Sequence, residues 1–275
     1  MSRLELGPSV KPAKAHPSLS PKKVVFPFHY APGKQLFQVI ARISDKPGSL
    51  AALLNNLSSK LNLIGINTYA LPDDTAMVVG FASSMSGKEK ADVLQEEIMK
   101  SKTVIHAEVR EGSDGLLVDT FHTGSVVGDQ NYLLLRRDSL SRVFEEVVKI
   151  FGTGGDALLY EEGQEMGRED AKTFIGLFGS EHITEQASYL TSILTAEGFG
   201  VFAPDLQSKD GLYGIRVTEC FECAENKGFR RACNFLRGYL QAAGVAALGI
   251  ELEAKETKCI LRGDEECEFQ LFAAK

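Results

Sequence analysis

CNFLRGYLQAAGVAALGIELEAKETKCILRGDEEC, residues 233–267, is the stretch on which the fold of this chain turns. Its pattern is a helix, then a strand, then a turn at Arg262-Gly263-Asp264 that starts a returning strand. Three thiols (Cys233, Cys259, Cys267) and the carboxylate of Glu256, three residues before Cys259, offer four possible metal ligands. A hairpin closing at the turn brings Cys259 and Cys267 together, with Glu256 on the incoming strand and Cys233 arriving from a separate helix. Three thiolates and one carboxylate in a closed four-ligand shell suit Zn2+ held for structure better than Mg2+ or Ca2+, which take mostly oxygen. The same cysteines also read as buried free thiols that pack as small hydrophobes. All five (Cys220, Cys223, Cys233, Cys259, Cys267) fall between residues 220 and 267, near the C-terminal end, and Cys220-x-x-Cys223 has the commoner zinc spacing. Spacing alone does not choose four ligands from five.

Working outward, FGVFAPDLQ (199–207) and LYGIRVTECFEC (212–223), joined by Ser208-Lys209-Asp210-Gly211, predict a β-hairpin. Residues 229–243 predict the helix that carries Cys233, and 249–272 a terminal pair of strands. Further back, YLLLRRDSL (132–140) reads as a strand running into a helix, which continues through Phe144, Val147, Val148 and Phe151 and stops at the glycines of 152–155. ALLYEEGQEMGRED (157–170) begins another helix, and 183–197 a further one. Gly163 and Gly167, four apart on one face, permit close backbone approach of a second helix.

The N-terminal half has a different grammar. LFQVIARI (36–43) is a strand, and DKPGSL (45–50) is a turn feeding a helix with Leu50, Leu53, Leu54 and Leu57 on one face. A strand at 63–71, the turn Pro72-Asp73-Asp74, a strand at 76–83, a helix at 88–99 and a strand at 103–110 complete βαββαβ, the ferredoxin-like order. Six of the nine prolines lie between positions 8 and 32, among Ser and Lys, so residues 1–34 read as a flexible tail whose role at VVFPFHY (24–30) stays open. Residues 112–124, glycine-rich and polar, read as a linker.

The segment from Phe37 to Asp73, with Asp45-x-Pro47-Gly48-x-Leu50 at its strand-to-helix turn, resembles the start of an ACT domain over residues 35–111. The resemblance implies a regulatory module that takes amino acids or similar small molecules at a subunit interface. It places contacts at Pro47, Gly48, Ser49, Leu50 and Asn67, where a glycine before a helix lets amides and the helix dipole meet a carboxylate. The glycine pair of 157–170, the run RVTECFECAE, and Glu256-x-x-Cys259-x-x-x-Gly263-Asp264-x-x-Cys267-x-Phe269 with Cys233 upstream resemble a 4-vinyl reductase domain over residues 125–275. That resemblance implies zinc on Cys233, Glu256, Cys259 and Cys267, with Cys220 and Cys223 outside the site. It also implies a domain that encloses a hydrophobic or aromatic small molecule, with Phe174, Phe178, Phe202, Tyr213 and Phe221 as lining candidates. The chain lacks Trp, which departs from the phenol-binding sensors of this type.

The predicted class is therefore α+β: a ferredoxin-like ACT domain, then an α/β 4-vinyl reductase-type domain ending in an antiparallel hairpin with a zinc site. Net charge is −7, and residues 1–34 carry six Lys/Arg against Glu5 alone, so the rest stands at about −12. An acidic body disfavours nucleic acid as a partner. Neither a transmembrane run nor a secretory signal is seen, and the odd thiol count fits a reducing, cytoplasmic setting. We find no Ser-His-acid set, phosphate loop or dinucleotide fingerprint, so a non-enzyme is expected. The expected function is a homodimeric small-molecule sensor or carrier that signals to a downstream protein; a ligand-free tethering module and an accessory subunit of a reductase are the alternatives.

Overall fold

The computed structural model describes residues 25, 27–127, 130–178, 183–209, 212–223, 230 and 232–274. Most of the expected tail lies outside these residues. The chain divides into two compact units, Met1–Tyr132 and Leu133–Lys275.

The first unit contains β1 (Phe28–Tyr30), β2 (Leu36–Ser44), α1 (Ser49–Leu57), β3 (Leu61–Ala70), β4 (Thr75–Ser84), α2 (Ala91–Met99), β5 (Val104–Glu111), β6 (Leu116–Val118), β7 (Ser125–Val127) and β8 (Gln130–Tyr132). From β2 to β5 the order is βαββαβ, and the four strands form an antiparallel sheet ordered β3-β4-β2-β5. β2 is central, which explains why apolar side chains face both sides of it. One face, Phe37, Val39, Ala41 and Ile43, packs with Leu53 and Leu57 of α1 and Leu94 and Ile98 of α2. On the other, Leu36 packs with Phe81 and Leu117.

Leu117 belongs to the stretch expected as a linker. It lies on β6, which pairs antiparallel with β1, so part of VVFPFHY gains a structural role. Beyond β6 the chain is fastened by Asp119. Its carboxylate accepts from Gln38 Nε2 (2.7 Å), from the amides of Phe121 (3.0 Å) and His122 (3.1 Å), and lies 2.7 Å from His122 Nδ1. Gln38, fully buried on β2, uses its own oxygen to accept from the amide and hydroxyl of Thr120. A buried amide on an apolar strand is thus satisfied by the segment that covers it.

The second unit contains α3 (Arg137–Phe151), α4 (Thr153–Phe178), α5 (Ile183–Glu197), β9 (Val201–Lys209), β10 (Leu212–Thr218), α6 (Asn234–Leu248), β11 (Leu252–Lys258) and β12 (Cys267–Ala273), with 3-10 turns at Phe221–Cys223 and Ile260–Arg262. Its antiparallel sheet is ordered β11-β12-β10-β9. Gly152 alone separates α3 from α4, because its left-handed φ of 57° ends one helix and Thr153 starts the next; Gly154 and Gly155 belong to α4. Leu133–Leu135 are not strand; β8 ends at Tyr132.

α4 and α6 cross at backbone contact. A Cβ on Gly163 would lie 2.0 Å from the Phe235 carbonyl oxygen, one on Gly167 2.3 Å from that of Tyr239, and one on Gly238 2.1 Å from that of Tyr160. The helix that the Gly163/Gly167 spacing anticipates is α6. Among the described residues, no helix is long and apolar enough to cross a membrane.

Candidate metal centre and apolar cavity

Three elements bring the thiols together. Cys233 is the residue before α6, its N-cap, and not a residue within the helix. Cys267 opens β12 opposite Val217 of β10. Cys259 follows β11 and begins a turn closed by Asp264, whose carboxylate accepts from the Cys259 amide (2.7 Å), while Gly263 takes the left-handed φ of 96°. A glycine is what that φ requires.

Cys233, Cys259 and Cys267 are fully buried. Their sulfurs form a near-equilateral triangle: 3.7 Å from Cys233 to Cys259, 3.7 Å from Cys233 to Cys267, and 4.0 Å from Cys267 to Cys259. Glu256 completes a four-ligand group in which all donor atoms lie within 4.8 Å of one another. Its side chain is 3% exposed, accepts from the Cys233 amide (3.2 Å) and meets Arg262 Nη1 at 3.1 Å. Burial, with Cys259 beside it, pushes the Glu256 carboxyl up to about 8. Hydrogen bonds from Cys223 and then Cys233 hold the Cys259 thiol down at about 7.

Cys220 and Cys223 converge on the same point. Cys223 lies 3.2 Å from Cys233 and 3.5 Å from Cys267, and Cys220 lies 3.8 Å from Cys233. Cys220, Cys223, Cys233 and Cys267 form a second group of four within 4.8 Å. Either donor set fits a soft-leaning cation such as Zn2+, for which tetrahedral sulfur coordination is usual.

A residue the spacing did not single out holds this cluster in place. Glu222, between the two cysteines of the Cys220–Cys223 pair, accepts from the amides of Phe235 (3.3 Å) and Leu236 (2.9 Å) in the first turn of α6. A carboxylate there satisfies open helix donors and complements the dipole. Burial pushes Glu222 up to about 7, and the guanidinium of Arg230, 3.1 Å away and equally buried, opposes the rise. Arg230 also donates to the Glu222 carbonyl and, at 3.1 Å, to Ser141 Oγ on α3. The only hint in the sequence is an acid inside Cys-x-x-Cys.

Between α5, α6 and the sheet lies a small apolar cavity of about 50 Å³ that opens to solvent at its mouth. Small and aliphatic side chains line it, among them Ala187, Leu190, Ile215, Ala243 and Ala247. Among the described lining residues, Thr191 and Tyr213 carry side-chain hydroxyls, and that of Thr191 donates to the Ala187 carbonyl at 3.0 Å. Of the five expected lining residues, Tyr213 stands at the cavity. Phe174 and Phe202 pack in the main core, and Phe221 joins Phe144, Phe199 and Phe235 in an aromatic cluster. The Phe178 side chain lies outside the described residues.

In the first unit, Pro47 and Gly48 are exposed, and Gly48 has the left-handed φ of 88° before α1. Ser49 is buried with its hydroxyl 3.0 Å from that of Ser44, and Leu50 is half-buried against the core. Asn67 is exposed on edge strand β3, which β4 separates from β2.

No family model matches the chain, and no curated protein matches it in sequence. Among solved structures, it is similar to the phenol-responsive sensory domain of the transcription activator PoxR with phenol: 19% identity and TM-score 0.47 over 54% of this chain and 79% of that one. It is similar also to a trafficking protein particle complex subunit 3 from Naegleria fowleri covalently bound to palmitic acid, with 18% identity and TM-score 0.42 over 50% and 95%. A vinyl-4-reductase family protein from Methanocaldococcus jannaschii shows 18% identity and TM-score 0.35 over 52% and 98%. At these values the likenesses carry no inference about ligand, metal or partner.

Proposed function

We propose that the second unit binds a small apolar or aromatic molecule in the cavity between α5, α6 and the sheet. The chain is then a sensor or carrier, not an enzyme. The observation that carries this is the lining itself, apolar apart from the hydroxyls of Thr191 and Tyr213. Such a wall offers dispersion and desolvation to an apolar guest and no set of convergent groups for chemistry. Zn2+ on Cys233, Glu256, Cys259 and Cys267 would staple the terminal hairpin to the start of α6, its binding free energy counting as folding free energy. With four protein ligands it has no open position for substrate.

The βαββαβ unit with Gly48 at the start of α1 supports an ACT-type regulatory role, with an amino acid as its ligand. Exposed apolar side chains on α3 (Val143, Ile150 and Phe151) support a homodimer. Light scattering after size exclusion showing a monomer at micromolar concentration would remove the dimer from this proposal.

For the ligand, thermal unfolding of the full chain with phenol, indole and octanoate tests the cavity. A guest that binds only the folded state raises the melting temperature. At least one probe should raise it in the wild type and not in Ala247→Phe, where the added ring fills the cavity. Absence of any shift in the wild type, or an equal shift in the variant, rejects the assignment.

A further inference from the structure

We infer that the thiol cluster is a binuclear centre for two soft-leaning divalent ions, bridged by the thiolates of Cys233 and Cys267. This rests on the zinc reading above and extends it from one ion to two. A tetrahedral ion with metal–sulfur bonds of about 2.3 Å sets its sulfurs about 3.8 Å apart. The Cys233, Cys259 and Cys267 sulfurs, at 3.7, 3.7 and 4.0 Å, make one face of such a shell, and Glu256 supplies its fourth corner. Cys220, Cys223, Cys233 and Cys267 make the other: Cys233 is 3.8 Å from Cys220 and 3.2 Å from Cys223, and Cys223 is 3.5 Å from Cys267. The two groups share one edge, Cys233–Cys267, itself 3.7 Å long.

The sheet delivers the remaining donors to that edge from two different strands. Cys267 stands on β12, between β10 and β11. Cys220 and Cys223 come off the end of β10 on one flank; Glu256 and Cys259 come from the end of β11 on the other. Cys233, at the N-terminus of α6, closes over both. Six donors in two tetrahedra that share an edge account for every cysteine in the chain, where a single ion on either set leaves two of the six donors unused.

Charge favours the second ion as well. Five thiolates and one carboxylate carry six negative charges, of which one dication offsets two and a pair offsets four. The N-terminal end of α6 and the Arg262 guanidinium at Glu256 take up part of the remainder. The ions displace thiol protons, which pass to solvent, and no electrons move.

The test is metal content of the full chain purified without oxygen or chelator, followed by exchange into Co2+. Two zinc ions per chain are expected, then two Co2+. As the second Co2+ enters, the electron paramagnetic resonance signal of the first should fade, because bridging thiolates couple the two spins. Cys223→Ser, altering a half-buried thiol that only the second ion uses, should stop at one Co2+ with an undiminished signal. One ion per chain in the wild type, or two whose signals simply add, overturns the bridged pair while leaving the single zinc site standing. No bound ion overturns both. If Cys223→Ser does not fold, the wild-type stoichiometry and signal decide alone.

Discussion

Replacing Gly163 by alanine puts the α4–α6 contact to a quantitative test. The new Cβ would lie 2.0 Å from the Phe235 carbonyl oxygen, 2.8 Å from its carbon and 3.0 Å from the Tyr239 nitrogen. All three are backbone atoms of α6, so no side-chain rotation relieves the clash, and the helices must part by on the order of 1 Å to restore ordinary contact. Gly167 and Gly238 are as tightly met, so parting at one point loosens the whole crossing. Overpacking of this kind costs about 3 kcal/mol, and alanine's better helix propensity returns about 1 kcal/mol. The expected loss is about 2 kcal/mol, roughly 30-fold in the ratio of folded to unfolded protein. Urea unfolding followed by far-ultraviolet circular dichroism measures it. Gly154→Ala is the control: it lies in the same helix with nothing within 4 Å, and should be neutral or slightly stabilising. If Gly163→Ala proves as stable as the wild type, the close crossing is not there.

Cys259→Ser should lose bound zinc and lower the unfolding midpoint of the second unit, read by elemental analysis and circular dichroism; full metal retention at unchanged stability would reject Cys259 as a ligand. Burial raises the Asp119 carboxyl, but hydrogen bonds from His122, Phe121 and Gln38 win and hold it below the usual range. A depressed folded-state value stabilises above the ordinary value of about 3.9, and that contribution fades as pH falls through the folded value, so Asp119→Asn should flatten the acid limb of stability below about pH 4. An acid limb identical to the wild type's would rule this out. Arg230→Leu strands the buried Glu222 and should cost about 3–5 kcal/mol in urea unfolding, with partial recovery on adding Glu222→Gln; a loss under about 1 kcal/mol would contradict the pairing.

The parts of the fold legible in the sequence are those set by local period. β2 to β5 follow from alternating strand and helix patterns with Asp45-Lys46-Pro47-Gly48 at the first turn, and Gly163 with Gly167 announces a close helix neighbour. What escaped depends on register and small residues. Whether Cys220 and Cys223 reach the other thiols is decided by the pairing of Val217 with Cys267, which no spacing reveals. Large rings such as Phe174 fill space, and a cavity opens where side chains are short. The signal for it was the run Ala242-Ala243-Gly244-Val245-Ala246-Ala247 on α6, within the stretch that also holds Cys233 and Cys267.

That run ties the two sites together. α6 starts just after Cys233 and lines the cavity along its C-terminal half with Ala243, Gly244 and Ala247; β10 and β12 likewise place Val217 and Cys267 at the thiols, and Ile215 and Leu271 at the cavity. A metal that fixes Cys233 against Cys267 therefore fixes the near ends of the same helix and strands whose far parts wall the cavity. Ordering those walls in advance removes part of the entropy a guest would otherwise lose. By reciprocity, a guest in the cavity must tighten metal binding by the same factor. Zinc-loaded protein should bind an apolar probe such as indole several-fold more tightly than protein held just short of unfolding in chelator, a coupling of about 1 kcal/mol or more. Equal probe affinity in the two states would show that the metal staples the hairpin without reaching the cavity.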